Sequence, residues 1–570
     1  MIKRLIYVMM IGLLGCNSDD EVKRDDGELS SSLIGRFNEE QVFDQGMTEI
    51  VAYHKNSQSA LVVNANGNTV DIIDLSSLQS FALTNPLIDG NLAKRSQIKV
   101  EQQLPNAGGV NSVAVYDNLM VIAVANQQKQ LPGYLVFYTI NAQAEVTFNT
   151  IKPAGALPDN VVFSPDGKIV LAANEGEPSG DYQVDPEGSL TMVKIENSLP
   201  QTVVQIDFTD FNQGGSKASM IDDTVRVSHP AATVAQDLEP EYIAISEDSN
   251  KAYVALQENN AIAVLDIASQ SVERIFSLGF KNHGIVENAL DASNDDDKIN
   301  IRLYANLYGV YMPDTIQSFS DQGVNYIITA NEGDGREYSY STDEMTCNNN
   351  GHSFDEGDCF SWVDETRVKK LQLDETVFTN EEIQSSSFLG NLKTLTDLGD
   401  TNEDGLYEKI YSFGARSFSI YNADTGEQVF DSGSDFETKT AEILAEAGFN
   451  TTNDENKFDN RSDDKGPEPE ALAIGVIGDQ RFAFIGLERT GGIMVYDITN
   501  PKEPIYSHYM INRDFTVDIE SNFIAAGDLA PEGMAFIPAE DSVTENPMLI
   551  VGNEVSGSTT VYEFKLTYPN

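Results

Sequence analysis

The sequence predicts an all-β fold: a seven-bladed β-propeller of four-stranded antiparallel blades, with long loop inserts on one face. Three observations predict it. A unit recurs seven times along the chain. Each copy alternates apolar and polar residues with period two, is rich in β-branched and aromatic types, and breaks at Asp-Gly, Asn-Gly or similar turn pairs. Helix-period segments are nearly absent, residues 438–449 (TKTAEILAEAGF) being the main exception. A unit of four short strands cannot bury its own faces, so copies stack around an axis.

In chain order, residues 1–16 (MIKRLIYVMMIGLLGC) join a short basic region at Lys3 and Arg4 to an apolar run ending at Gly15-Cys16. The run is shorter than the ~20 apolar residues that span a bilayer, so it reads as an export signal. Leu13-Leu14-Gly15-Cys16 resembles a bacterial lipobox, which makes Cys16 the lipidated first residue of the mature chain. Asn17 in place of Asp then directs the anchor to the outer membrane of a Gram-negative envelope, by resemblance to the enteric sorting pattern. Residues 17–35 are polar and charged and read as a flexible tether.

Residues 36–570 read as one propeller domain. Its copies begin at Glu49, Gly108, Pro158, Pro240, Pro313, Pro469 and Pro531. The last copy leaves little chain for a fourth strand, so residues 36–43 (RFNEEQVF) are expected to close the ring. Inserts fall at 279–312, 333–415 and 432–466. In a propeller, the loop entering a blade and the loop between its second and third strands open on the same face, so all three inserts build one face, where binding residues concentrate. Cys347 and Cys359 lie twelve residues apart in the second insert. In an exported chain they read as a disulfide, with a metal site sharing His352 as the alternative.

The same geometry gathers the repeat's acids. Asp159, Glu241, Asp314, Glu470 and Glu532 follow the blade-entering Pro, and Glu175, Glu258, Glu332, Glu488 and Glu554 end the second strand. All ten are expected in the axial mouth, where converging carboxylates need cations or raised pKa values. Hard divalent ions suit such oxygens, so calcium, with a second divalent or trivalent metal, is the expected cofactor. The alternative is that these acids are solvated or cap turns. Arg336, Arg461 and Arg489 lie in loops of the same face, to neutralise the ring or clamp an anion. His283, in an insert, is a candidate ligand or acid/base, or else a surface-loop histidine.

A sharper pattern is Asp400, Asn402, Asp404, Gly405 and Glu408, which match positions 1, 3, 5, 6 and 9 of an EF-hand-type calcium loop. Position 12 is Tyr411 rather than Glu, which suggests a structural calcium loop outside an EF-hand. The run Asp291–Asp297 (DASNDDD) is a second, less patterned acidic loop. Phosphate-cradling Gly-Lys-Ser/Thr, His-Glu-x-x-His and Gly-x-Ser-x-Gly signatures are all missing. With 36 Lys+Arg against 90 Asp+Glu, the net charge of −54 excludes nucleic acid as a partner. Hydrophobic residues at 41% suffice for a folded body.

The segments LPDNVVFSPDGKIVLAANEGEPS, NALDASNDDDKINI, YMPDTIQSF, TANEGDGREY, DTNEDGLYEKIYSFGARSFSIYN, FDNRSDDKGPEPEALAIG, ERTGGIMVYDI and LAPEGMAF resemble the choice-of-anchor I family of exported bacterial proteins, which also has animal cell-surface members. The resemblance implies a surface-tied β-propeller, often described as alkaline-phosphatase-like or phytase-like. Two functions follow. One is a metal-dependent phosphoesterase acting on a small phosphoester, which needs Arg336, Arg461, Glu332, Glu468 and Glu470 within reach of one point. The other is a non-catalytic, calcium-stabilised surface propeller, monomeric, whose insert face binds an envelope or extracellular partner.

Overall fold

The computed structural model describes residues 27–39, 41–222, 224–355 and 357–568. The signal segment, Cys16 and residues 17–26 of the tether lie outside the described residues. The fold is all-β, with nine sheets among the described residues. Seven are four-stranded and antiparallel. They open with the strands Val51–His54, Ala107–Tyr116, Pro158–Phe163, Pro240–Ile245, Ile316–Asp321, Pro469–Ile477 and Pro531–Ile537, and are numbered one to seven in that order. These opening strands touch their neighbours in sequence order, and Pro531–Ile537 touches Val51–His54, closing a ring.

The apolar core follows from this arrangement. Period-two alternation gives every strand two apolar rows, one for each adjoining sheet, so burial is divided among layers between neighbours rather than pooled in one centre. Leu61, Ile72, Ile122 and Val136 pack between sheets one and two. Leu171, Met192, Val254 and Leu265 pack between three and four, and Phe418, Ile485 and Met494 between five and six. Phe484 and Phe564 continue the series between six and seven, and Val62 and Ile550 between seven and one.

The closing strand differs from the sequence expectation. It is Glu28–Phe37, paired antiparallel with Ser558–Thr567 from Glu28 opposite Thr567 to Phe37 opposite Thr559. Residues 28–35 are therefore part of the sheet rather than a tether. Leu29, Leu33, Ile34 and Phe37 are buried in it, and a bulge between Leu33 and Gly35 breaks the alternation that would mark it as a strand. Arg36, fully buried, pairs with Asp528 at 3.0 Å and donates to the carbonyl of Gly527, pinning the strand to the last sheet's entry loop.

Two inserts merge. Phe280–Asn282 and Leu307–Val310 from the first combine with Glu365–Arg367, Lys393–Leu395 and Ile410–Phe413 from the second in a five-stranded sheet. The pair Leu307–Val310 with Ile410–Phe413 is parallel. The second insert also holds a three-stranded sheet, Glu337–Tyr340, Ser353–Asp355 and Asp358–Val363, stapled by the Cys347–Cys359 disulfide as expected. The third carries the helix Asp435–Leu444. The connection over residues 208–239, not read as an insert, adds a further loop entering sheet four.

Candidate functional site: an axial ring of carboxylates

Sheets three, five, six and seven deliver their acids by a shared local device. The residue before the entering Pro takes a left-handed backbone, at Leu157 (φ 49°), Met312 (φ 43°), Glu468 (φ 52°) and Ala530 (φ 58°). Such a conformation is costly for a residue with a Cβ, and four repetitions at equivalent places mark a constrained turn. That turn presents a carbonyl to the residue that ends the second strand: Glu175 N–H donates to Leu157, Glu488 to Glu468 and Glu554 to Ala530. An Asn just before the second acid ties the second strand to the third. Asn174 donates to Thr191 Oγ1, Asn331 to Ser419 Oγ and Asn553 to Thr560 Oγ1. These bonds fix the acids that end the second strands of sheets three, five, six and seven at the mouth of the ring.

The mouth opens into a cavity of about 560 Å³ whose lining includes Glu49, Asp159, Glu175, Asp314, Glu470 and Glu532, with Lys129 as its single basic residue. Glu49 belongs to the ring although its copy lacks the entering Pro. Sheet two contributes no acid, because Gly108 stands where a Cβ would lie 2.5 Å from the Asn126 carbonyl oxygen.

Electrostatics divide the ring into two arcs. In one, Glu332, Glu468 and Glu488 have ligand oxygens within 4.8 Å of one another, and all six oxygens are already bonded. Lys465 Nζ lies 2.6 Å from Glu332 and 3.2 Å from Glu468, and Gln257 donates to the other Glu332 oxygen at 2.9 Å. Arg461 holds Glu468 at 3.0 Å through Nε. Arg489 bridges Glu468 (3.2 Å) and Glu488 (3.1 Å), and Asn453 takes the remaining Glu488 oxygen at 3.0 Å. Burial alone would raise the Glu468 carboxyl, but Lys465, Arg461 and Arg489 together hold it well below the usual carboxylate range.

The other arc is poor in cations: Lys129 acts on Asp159 and Arg336 on Glu258, but no basic side chain acts on Glu241, Asp314, Glu470 or Glu532. Asp314 and Glu470 share a 4.8 Å cluster with Glu332, and Glu241, Glu258 and Glu470 each keep a buried oxygen with no hydrogen-bond partner. Burial first, then the neighbouring acids, pushes Glu175, Glu241, Glu258, Asp314, Glu470 and Glu532 well above the ordinary carboxylate range. The same causes bring Asp159 up to about 7 and Glu49 to about 8. Acceptor-only groups held together in this way match the demands of a hard divalent cation.

Of the basic residues picked from the sequence, Arg461 and Arg489 meet at Glu468, and Arg336 does not join them. Arg336 is buried away from that cluster, with Nε 3.1 Å from Glu239 and Nη1 2.9 Å from Asp237 and 2.7 Å from Ser228. Its Nη2 donates to the Asp237 carbonyl at 2.7 Å. Arg461 is committed to Glu468 and Asp464. Neither guanidinium presents a free fork to a substrate. His283 is a buried core residue rather than a surface-loop one: its ring Nδ1 lies 2.7 Å from the Asn288 carbonyl, and burial with Lys281 alongside lowers its pKa to about 3. Its charged neighbours are Lys281 and Arg416, not ring acids. Sequence reasoning missed Lys465, Asp237 and Glu239. The first looks like an ordinary loop lysine, and the other two lie in the unread 208–239 connection.

The 400–408 loop folds back on itself, with Asn402 donating to Glu408 rather than joining the three carboxylates. Asp400, Asp404 and Glu408 have ligand oxygens within 4.8 Å, and Gly405 adopts φ +89° at the turn. Asp400 accepts from the Asp404 and Gly405 amides. Glu408 folds back to accept from Thr401 N at 2.7 Å and from the Asn402 amide at 2.7 Å.

Comparison with known proteins places this architecture. The Choice-of-anchor I domain matches residues 49–501. The chain belongs to the choice-of-anchor I family. Membership points to a surface-exported protein. Among curated proteins, Gigasin-3a of Magallana gigas is 30% identical over 194 residues, covering 32% of this chain and 67% of that protein. Mesenchyme-specific cell surface glycoprotein of Strongylocentrotus purpuratus is 28% identical over 360 residues, 58% of this chain; the chain spans 45% of that protein's length. Solved structures similar to it include the β-propeller domain of Myceliophteria thermophila Cps50 (Swd1), with TM-score 0.39 and 6% identity over 94% of this chain and 99% of that one. The WD40 domain of Toxoplasma gondii coronin gives TM-score 0.42 and 9% identity over 96% and 88%.

Proposed function

We propose that this is an exported, lipid-anchored β-propeller whose seven four-stranded sheets are its blades and whose axial mouth holds a divalent cation, calcium first among the candidates. The observation that carries the reading is the group Glu241, Asp314, Glu470 and Glu532, on which no basic side chain acts and in which Glu241 and Glu470 keep buried oxygens without partners. The 400–408 loop supplies a second, structural calcium site. The bound ions link folding to a calcium-containing exterior, and the insert face binds an envelope or extracellular partner. The ion-paired state of Arg336 and Arg461 favours this binding role over catalysis.

A second reading, hydrolysis of a small phosphoester, rests on the 560 Å³ cavity, where a bound metal would reverse the field that otherwise repels anions. The experiment is metal analysis, melting temperature and phosphomonoester turnover of protein lacking residues 1–16, after chelation and after calcium add-back. Calcium at a hundredfold excess over its dissociation constant should stabilise the chain by about 2.7 kcal/mol, without turnover. Turnover abolished by chelation and restored by metal would establish the hydrolase instead. Indifference of every readout to metal would reduce the ring to a solvated rim.

A further inference from the structure

A third cluster of acceptors lies between the loop 291–300 and the segment 450–462 that follows the helix Asp435–Leu444. Its frame is a chain of hydrogen bonds. Arg416 donates to the Asp291 carbonyl at 2.7 Å and to Glu437. The Asp291 amide donates to the other Glu437 oxygen at 2.8 Å. Asn450 gives its side-chain amide to Glu437 at 3.3 Å and to Ser462 Oγ at 2.8 Å, and Ser462 in turn donates to Asp459 Oδ1. The loop closes on itself through Asn300, which donates its backbone N–H to Asp291 and its side chain to Asp296 Oδ2 at 2.7 Å.

Three oxygens are left over: Asp459 Oδ2, Asn450 Oδ1 and Asp296 Oδ1 are buried and without a hydrogen-bond partner. Asp459 is 2% exposed and Asn450 is fully buried. The nearby donors are spent, since both the Ser462 hydroxyl and the Asn450 amide point elsewhere in the network. Charge is also out of balance. Asp291, Asp296, Glu437 and Asp459 face Arg416, whose guanidinium is bonded to Glu437, and Lys298, which lies on the surface 3.8 Å from Asp296. A buried polar atom without a partner costs about 1–3 kcal/mol, and no side-chain N–H or hydroxyl of this network is left to satisfy the three acceptors.

We propose that a single divalent cation of calcium's size binds here, between the 291–300 loop and the 450–462 segment, ligated by Asp459, Asp296 and the Asn450 side-chain oxygen. Carboxylate and amide oxygens in a flexible, irregular cage are what calcium accepts, whereas magnesium demands a stricter octahedron. The titration behaviour agrees: burial, then Asp291, Glu437 and Asp296, brings Asp459 up to about 8, and burial with Glu437 raises Asp291 to about 6. The ion would tie two inserts together through residues distinct from the axial carboxylates.

The test is calcium content by equilibrium dialysis on the chain lacking residues 1–16, comparing wild type with Asp459→Asn, Asp296→Asn and the axial variant Glu470→Gln. Amide exchange of the wild-type protein with and without calcium is the readout that needs no variant. Asp459→Asn and Asp296→Asn should each bind one calcium fewer, additively with any loss in Glu470→Gln, and calcium should slow exchange over 291–300 and 450–462. Full calcium content in both variants, or unchanged exchange in those two segments of the wild type, would overturn the site and assign the space to a retained proton or a water.

Discussion

Glu470 sits among Glu488, Glu332, Glu532 and Asp314 with one oxygen unpartnered, so its charge has opposite value in the two states of the site. In metal-free protein burial and those neighbours disfavour its ionised form, so Glu470→Gln should stabilise the chain. In calcium the same change removes a ligand charge and should shrink the metal-induced rise in melting temperature. Denaturant unfolding in chelator and in calcium reads both signs, and equal effects of one sign in both buffers would discard the site. Lys465 gives the converse case. It is the buried cation between Glu332 and Glu468, and Lys465→Met leaves two carboxylates facing each other, which should cost about 3–5 kcal/mol in chelator. Calcium should recover part of that loss, because Glu332 then faces Glu468 with no cation of its own, while Arg461 and Arg489 stay on Glu468 and Glu488.

Elements differ in how plainly the sequence announces them. The Pro-acid entry, the alternating run and the terminal Asn are local signals, so sheets three to seven and both rows of mouth acids were readable from residues such as Pro158-Asp159 and Asn331-Glu332. The five-stranded insert sheet was not, because its parallel pair joins Leu307–Val310 to Ile410–Phe413 across about a hundred residues of chain with no turn to mark it. Glu28–Phe37 hid for another reason: three serines and a bulge disguise its alternation. Its importance can be measured. Deleting residues 27–38 removes the Arg36–Asp528 pair and bares the edge of Ser558–Thr567, so the product should be destabilised by well over 3 kcal/mol and prone to edge-to-edge association. A monomer of unchanged melting temperature would show that the ring closes without it. The disulfide acts more locally. It spans twelve residues, and Cys347→Ser with Cys359→Ser should cost about 3 kcal/mol by loop entropy, seen first as proteolysis between residues 341 and 357.

At the scale of the molecule, the ring turns a net charge of −54 into a pH response that metal should reverse. Burial first, then neighbouring acids, raises Asp159 to about 7 and Glu49 to about 8; burial raises Glu488 to about 8 against the pull of Arg489. Unfolded carboxyls titrate near 4. A group whose pKa is higher in the folded state binds its proton more tightly there, so its contribution is complete below about pH 4 and disappears as pH rises toward 7 or 8. The slope is about 1.4 kcal/mol per pH unit for each such group between its two pKa values. Glu468 runs the other way: held low by Lys465, Arg461 and Arg489, it loses its stabilising effect only as pH falls below the ordinary carboxylate range. Chelated protein should therefore be most stable near pH 5 and lose melting temperature steadily toward pH 8.5. A cation replaces those protons, so the calcium-induced rise should be small at pH 5 and largest at pH 8. Calorimetric scans across that range in chelator and in calcium decide it, because a metal effect independent of pH would mean the ion binds away from the raised carboxylates, and a chelated melting temperature that climbs with pH would mean the ring is ionised and solvated.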